Sequence, residues 1–216
     1  EMRTALERLV AEYRTDTLAL DGLLILGDDR FDRNKLDEST GYYSRMLEGP
    51  LNRMTGLAHY KLGWVYVNKA ECKPALKHFE SALVSSNTWF SRPENRSTQK
   101  RGKSSLDVRR EALVDMIYCF TQVRKGPEAI PFLKKHAYRR GAYVAALERL
   151  ADRFGTLDNA IDGANTVREL LRLAPDTEQR IDDVFMLHAA ITKEKTYKVP
   201  ADAFVQIGSD VDLISR

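Results

Sequence analysis

Two runs decide how this chain folds: Tyr60-Lys61-Leu62-Gly63-Trp64-Val65-Tyr66, and, after a short break, Cys72-Lys73-Pro74-Ala75-Leu76-Lys77-His78-Phe79-Glu80-Ser81-Ala82-Leu83. Gly63, Ala75 and Ala82 are small and recur at helical spacing, which lets two helices approach closely. Leu62, Tyr66 and Phe79 are large and fill the space between them. A second version of the pattern lies 36 residues upstream. Leu26-Gly27 falls over Leu62-Gly63, and Leu36 to Leu47 falls over Cys72 to Leu83. In that overlay Ser39 meets Ala75, Tyr43 meets Phe79, Met46 meets Ala82 and Leu47 meets Leu83. Small meets small and aromatic meets aromatic at the first two, as a repeated packing geometry requires.

Helical periodicity extends in both directions. Leu6, Leu9 and Val10 fall at helical spacing, as do Leu113, Met116, Ile117 and Phe120, and then Val144, Leu147, Leu150 and Ala151. Glu48-Gly49-Pro50, Arg124-Lys125-Gly126-Pro127 and Ala174-Pro175-Asp176 supply the breaks. With 12 Gly and 7 Pro in 216 residues, the chain lacks the turn punctuation of an all-β sandwich. Alternation suited to a strand is confined to a weak stretch at 198–207. The expected fold class is all-α.

The run from Leu62 to Ala82 resembles the tetratricopeptide repeat (TPR), a helix–turn–helix of about 34 residues. Leu62-Gly63, Tyr66, Ala75, Phe79 and Ala82 carry the resemblance; the final proline of the pattern is missing, with Asn87 near its place. Ala129 can take the role of Ala75 in a later repeat. It lies 54 residues on, one repeat length plus an insertion of about 20 residues, and the polar stretch 86–105 supplies the insertion. Ala160, 31 residues further, centres a fourth repeat, with Val167 and Leu170 after it. The resemblance implies a helical-hairpin solenoid wound as a right-handed superhelix, forming one domain over 1–216. Its expected parts are repeats at 17–48, 53–85, 106–139 and 141–174, a basic inserted loop at 86–105, a capping helix at 176–192 and a tail at 193–216.

Composition narrows the classes further. A chain that is 43% hydrophobic and 30% charged is too apolar for general disorder. The apolar stretch from Leu18 to Leu26 is broken by Asp21 and Gly22, so no membrane-spanning helix is expected there. The chain begins Glu1-Met2-Arg3, which reads as part of something longer. Cys72 and Cys119 could pair, but both fall within helical pattern and are read as free, partly buried thiols. On that reading cysteine usage leaves the compartment open.

Catalytic and metal motifs are missing. Neither G-x-x-x-x-G-K nor G-x-G-x-x-G occurs, the four histidines are scattered, and there is no C-x-x-C. Asp28, Asp29 and Asp32 are interrupted by Arg30 and Arg33 and read as a solvated helix end rather than a calcium loop. Cys119 with His136 is the best nucleophile–base pair on offer, yet Cys119 sits in an apolar run suited to packing. No catalytic residue, cofactor or metal is expected, and the chain is read as a non-enzyme.

The resemblance implies a binding surface, because the first helices of successive TPRs line a concave face. There Tyr60, Trp64 and Asn68 recur at i, i+4, i+8, with Trp64 as a natural peptide anchor. Packing against the neighbouring repeat is the competing reading for Tyr60 and Trp64. Matching positions are Leu24 and Asp28, then Val114, Tyr118 and Gln122, then Arg149 and Arg153, so the groove would run from an acidic to a basic end. The Lys/Asn clamp by which chaperone-binding TPRs hold a terminal carboxylate is absent, since Tyr60 and Trp64 stand in its positions. Runs at Tyr60–Tyr66, Leu106–Leu113 and Ala146–Phe154 are similar to large TPR proteins of bacterial cell envelopes, including those of gliding-motility machinery. That likeness implies a protein- or peptide-binding scaffold in a larger complex, periplasmic or associated with the outer membrane, with the cytoplasm as the alternative.

Net charge is only +3, but it is unevenly spread. Residues 1–50 hold 7 basic against 11 acidic groups. Residues 86–110 hold Arg92, Arg96, Lys100, Arg101, Lys103, Arg109 and Arg110 against Glu94 and Asp107. This basic segment, with Trp89 and Phe90 beside it, offers a second reading as a nucleic-acid or acidic-partner site. A solvated loop is the simpler expectation, and nucleic acid ranks behind a protein partner.

Overall fold

A computed structural model describes residues 2–13, 16–95 and 107–173. Among these residues the secondary structure is helical, with no strand. The chain divides between Val123 and Arg124 into two compact units. The weak strand-like stretch at 198–207, the capping helix and the tail lie outside the described residues.

The first unit contains α1 (Met2–Glu12), α2 (Thr17–Asp32), α3 (Leu36–Arg45), α4 (Thr55–Asn68), α5 (Cys72–Ser91), α6 (Arg109–Asp115) and α7 (Ile117–Val123). Packing runs between chain neighbours: α1 on α2, α2 on α3, α3 on α4, α4 on α5, and α5 on both α6 and α7. The residues paired by the 36-residue offset form the core. Leu26, Tyr43 and Met46 are buried, as are Leu62, Ala75, Phe79, Ala82 and Leu83. Tyr66 differs from expectation: it is half-buried, and its ring stacks on His78 at 5.3 Å. Helix α1, which the repeat map left unassigned, seals the start of the stack. Its Leu6, Leu9 and Val10 meet Gly22, Arg30 of α2 reaches Glu7 at 3.8 Å, and Arg45 of α3 donates to the Val10 carbonyl at 2.9 Å.

Helices α2 and α4 end in the same turn. Asn34 and Ala70 adopt φ of 58° and 59°, and the following amides, Lys35 and Glu71, donate back to the carbonyls of Arg30 and Tyr66, each at 2.8 Å. This is the Schellman arrangement, which satisfies the last helical carbonyls and reverses the chain within two residues. The same turn closes α9 of the second unit, where Asp158 has φ 53° and Asn159 donates to Phe154.

Two sequence expectations fail in the first unit. Helix α5 runs on to Ser91 and is followed by a 3-10 turn at Pro93–Asn95, so the insertion does not begin at Ser86. Ser86 and Phe90 are buried, Ser86 against Gly56 of α4. A Ser-rich polar stretch looks like loop in one dimension, but here its helical phase turns Ser86 and Phe90 inward. The thiol assignment also falls, because Cys72 and Cys119 form a disulfide with Cα atoms 4.8 Å apart. Both do lie on helices, as expected; the N-terminus of α5 simply packs onto α7, which the sequence did not reveal.

The second unit contains a 3-10 turn at Gly126–Glu128 with Pro127 at its start, then α8 (Ala129–His136), α9 (Arg140–Thr156) and α10 (Ala160–Leu173). Helix α9 packs on α8 and, more extensively, on α10. Asn159 caps α10, its side-chain Oδ1 accepting from the Asp162 amide at 3.3 Å while its Nδ2 donates to the Asp162 carboxylate at 2.7 Å.

Candidate functional site

On the first unit a row of side chains links the first helix of one hairpin to the first helix of the next. Asp28 on α2 accepts from the Tyr43 hydroxyl at 2.5 Å and pairs with Lys61 of α4 at 2.8 Å. One step along, Asp115 on α6 accepts from the Tyr60 hydroxyl at 2.7 Å and from the Trp64 indole N–H at 3.3 Å. Asp28 and Trp64 occupy equivalent positions, and each reaches forward to the following helix. Arg53, on the approach to α4, clamps Asp21 of α2 with contacts of 3.0 and 2.9 Å. Neighbouring first helices are thus joined by polar bonds along the face expected to bind.

Tyr60 and Trp64 serve two purposes. Both rings lean on the buried Phe79, at 5.9 and 6.2 Å between centroids, the Trp64 contact being edge-on. Both also present polar atoms to Asp115, and both remain partly open. Burial, followed by the bond to Asp115, pushes the Tyr60 phenol well above its ordinary value, so it stays a neutral donor. Asn68 is exposed and donates to the Trp64 carbonyl at 2.9 Å, which ties it to its own helix. Tyr118 is 43% exposed on α7 and Gln122 is exposed one turn beyond. Arg149 and Arg153 belong to α9 of the second unit, the former exposed and the latter half-buried.

The basic segment divides. Arg96, Lys100, Arg101 and Lys103 lie outside the described residues, and Arg110 is exposed. Arg109 is not a surface charge. It is 6% exposed, held by Asp107 at 2.8 Å and Asn87 at 3.2 Å, with its guanidinium 5.0 Å from the Phe90 ring. Its charge is spent on docking the start of α6 against the end of α5, because burying an unpaired guanidinium would be prohibitive. The disulfide likewise removes Cys119 as a nucleophile.

Sequence reading missed two features. Asp115 sits between Val114 and Met116 with no motif around it, and only the helix phase shows that it faces Tyr60 and Trp64. His59 and His78, distant in sequence, meet Nδ1 to Nδ1 at 3.1 Å across the α4–α5 contact. Burial first, and then the charge of His78, lowers His59 to about 4; burial and Lys77 lower His78. Among the described residues no group of three or more His, Cys, Asp or Glu could hold a metal ion, and no helix is long and apolar enough to cross a membrane.

No protein-family profile and no curated protein sequence matches the chain. Among solved structures it is similar to YrrB, described as a TPR protein with an unusual peptide-binding site. The likeness has a TM-score of 0.51 at 15% identity, and covers 98% of this chain and 96% of that one. The fold is therefore all-α and TPR-like, as the Leu62–Ala82 pattern predicts.

Proposed function

We propose that the first unit is a non-catalytic peptide-binding module whose site is the face carried by α2, α4 and α6–α7. One observation carries this reading. Three successive first helices set Asp28, Lys61, Trp64, Asp115 and Tyr118 along one side, partly open, with aromatic and charged groups interleaved. Such a surface can hold an extended segment by side-chain pairs and stacking while the hairpins behind it stay rigid. The peptide-binding site named for YrrB supports the same reading.

A scaffold in a bacterial cell-envelope assembly, of the kind that includes gliding-motility machinery, is the setting we assign. The Tyr60–Tyr66, Leu106–Leu113 and Ala146–Phe154 runs support it. The Cys72–Cys119 disulfide supports an oxidising compartment such as the periplasm.

A random-peptide library displayed on phage and selected on the whole chain tests the binding face. Selected peptides should bind Trp64→Ala at least about tenfold more weakly, the loss typical of an anchor residue, while circular dichroism shows the helices retained. A library that enriches nothing, or peptides that bind Trp64→Ala as tightly as wild type, would overturn the assignment.

A further inference from the structure

We propose that Asp115 is the receptor for a cationic side chain, Lys or Arg, of the bound peptide, with Tyr60 and Trp64 holding its carboxylate in place. This rests on the peptide-binding reading and adds to it the chemistry of the partner. The carboxylates along the face are not equivalent. Asp21 is neutralised by Arg53 and Asp28 by Lys61. Among the described residues Asp115 is held by neutral donors, a phenol and an indole, and no cation pairs with it. Both donors converge on Oδ2, so Oδ1 is left without a hydrogen bond, yet it is not sealed in the interior.

A half-buried carboxylate with no counter-charge lies in a medium where the attraction of a cation exceeds its value in bulk water. Glu111, one turn earlier on α6, deepens the negative potential, as its influence on the Tyr60 phenol shows. Tyr60 and Trp64 turn their donor edges to Oδ2 and fix the carboxylate in place, so Oδ1 is presented to a cation without first being reordered. The same arrangement repels a terminal carboxylate, so this face selects the opposite sign from a carboxylate clamp.

The test uses the peptides selected on the whole chain and synthesises each with its basic residue replaced by Gln. Wild type should recover peptides with Lys or Arg at one recurring position, and the Gln version should bind about tenfold more weakly. Asp115→Asn keeps an acceptor for Tyr60 and Trp64, and should bind the Lys/Arg and Gln versions equally. Raising the salt from about 0.05 M to about 0.5 M should weaken the Lys/Arg version at least about threefold more than the Gln version, and an equal salt response would count against the inference. This comparison serves as the second arm if circular dichroism shows Asp115→Asn to be misfolded. Peptides lacking a recurring basic residue, or an undiminished Lys/Arg preference in Asp115→Asn, would overturn the inference and leave the binding face standing. A library that enriches nothing would remove both.

Discussion

His59 and His78 form a pair that works only while at least one ring is uncharged. Their Nδ1 atoms are 3.1 Å apart, so one must donate and the other accept. Tyr66 stacks on His78, and the Lys69 ammonium lies 5.5 Å from the Tyr66 ring centre, so further positive charge there is unwelcome. His59 titrates at about 4 in the fold against 6.5 when free. The folded state therefore binds fewer protons than the unfolded state between those values, and stability must rise with pH across that window. Stability is fully present above about 6.5 and falls as the pH drops towards about 4. We expect the pair to contribute about 1–2 kcal/mol to this loss, a discounted figure for half-buried rings. Urea unfolding at pH 7 and pH 4.5 should show a smaller pH difference for His59→Gln than for wild type; an equal difference would refute the assignment. The pair was illegible in sequence because 19 residues separate its members, and nothing but the relative phase of α4 and α5 brings them together.

Hairpins show why so much was legible at the next scale up. A Cβ added at Gly63 would sit 2.6 Å from Cε1 of Phe79, and one at Gly27 would strike the matching ring of Tyr43. The glycine on the first helix and the aromatic on the second are one contact, written twice at an offset of 36. That contact was readable because both halves are unusual residue types at fixed spacing. Gly63→Ala should destabilise the chain by about 1–3 kcal/mol, since the ring has no room to yield. Gly41→Ala, on the exposed side of α3 with nothing within 4 Å, should instead stabilise it by up to about 1 kcal/mol through helix propensity. Thermal melts of the two variants should shift in opposite directions; a common sign would contradict the packing. The end of α5 was less legible. Ser86, Asn87 and Arg92 carry the composition of a loop, and the helix survives because Phe90 is buried and Arg109 bonds Asn87 beside it, while Ser86 is small enough to fit against Gly56. Those stabilising partners are supplied by other helices, so composition alone pointed the wrong way.

At the scale of the molecule, the disulfide ties the start of α5 to α7 across 47 residues and so spans the basic segment. Closing a loop of that length removes unfolded-state entropy worth about 4 kcal/mol in the chain-entropy estimate. Reductant, or the Cys72→Ser/Cys119→Ser double variant, should lower the melting temperature by several degrees, and a melt unmoved by reductant would show the bond to be unimportant. The order of the hairpins is constrained as well. Asp28 reaches Lys61, and Trp64 reaches Asp115, so each first helix is matched to its successor and not to first helices in general. Repeat arrays gain and lose units by duplication and excision, and that freedom is curtailed here. Deleting one 36-residue period around α4 and α5 would bring Asp28 opposite Asp115, carboxylate against carboxylate, and would strand Cys119. Loss of a single hairpin would therefore cost this chain more than that hairpin's own contacts.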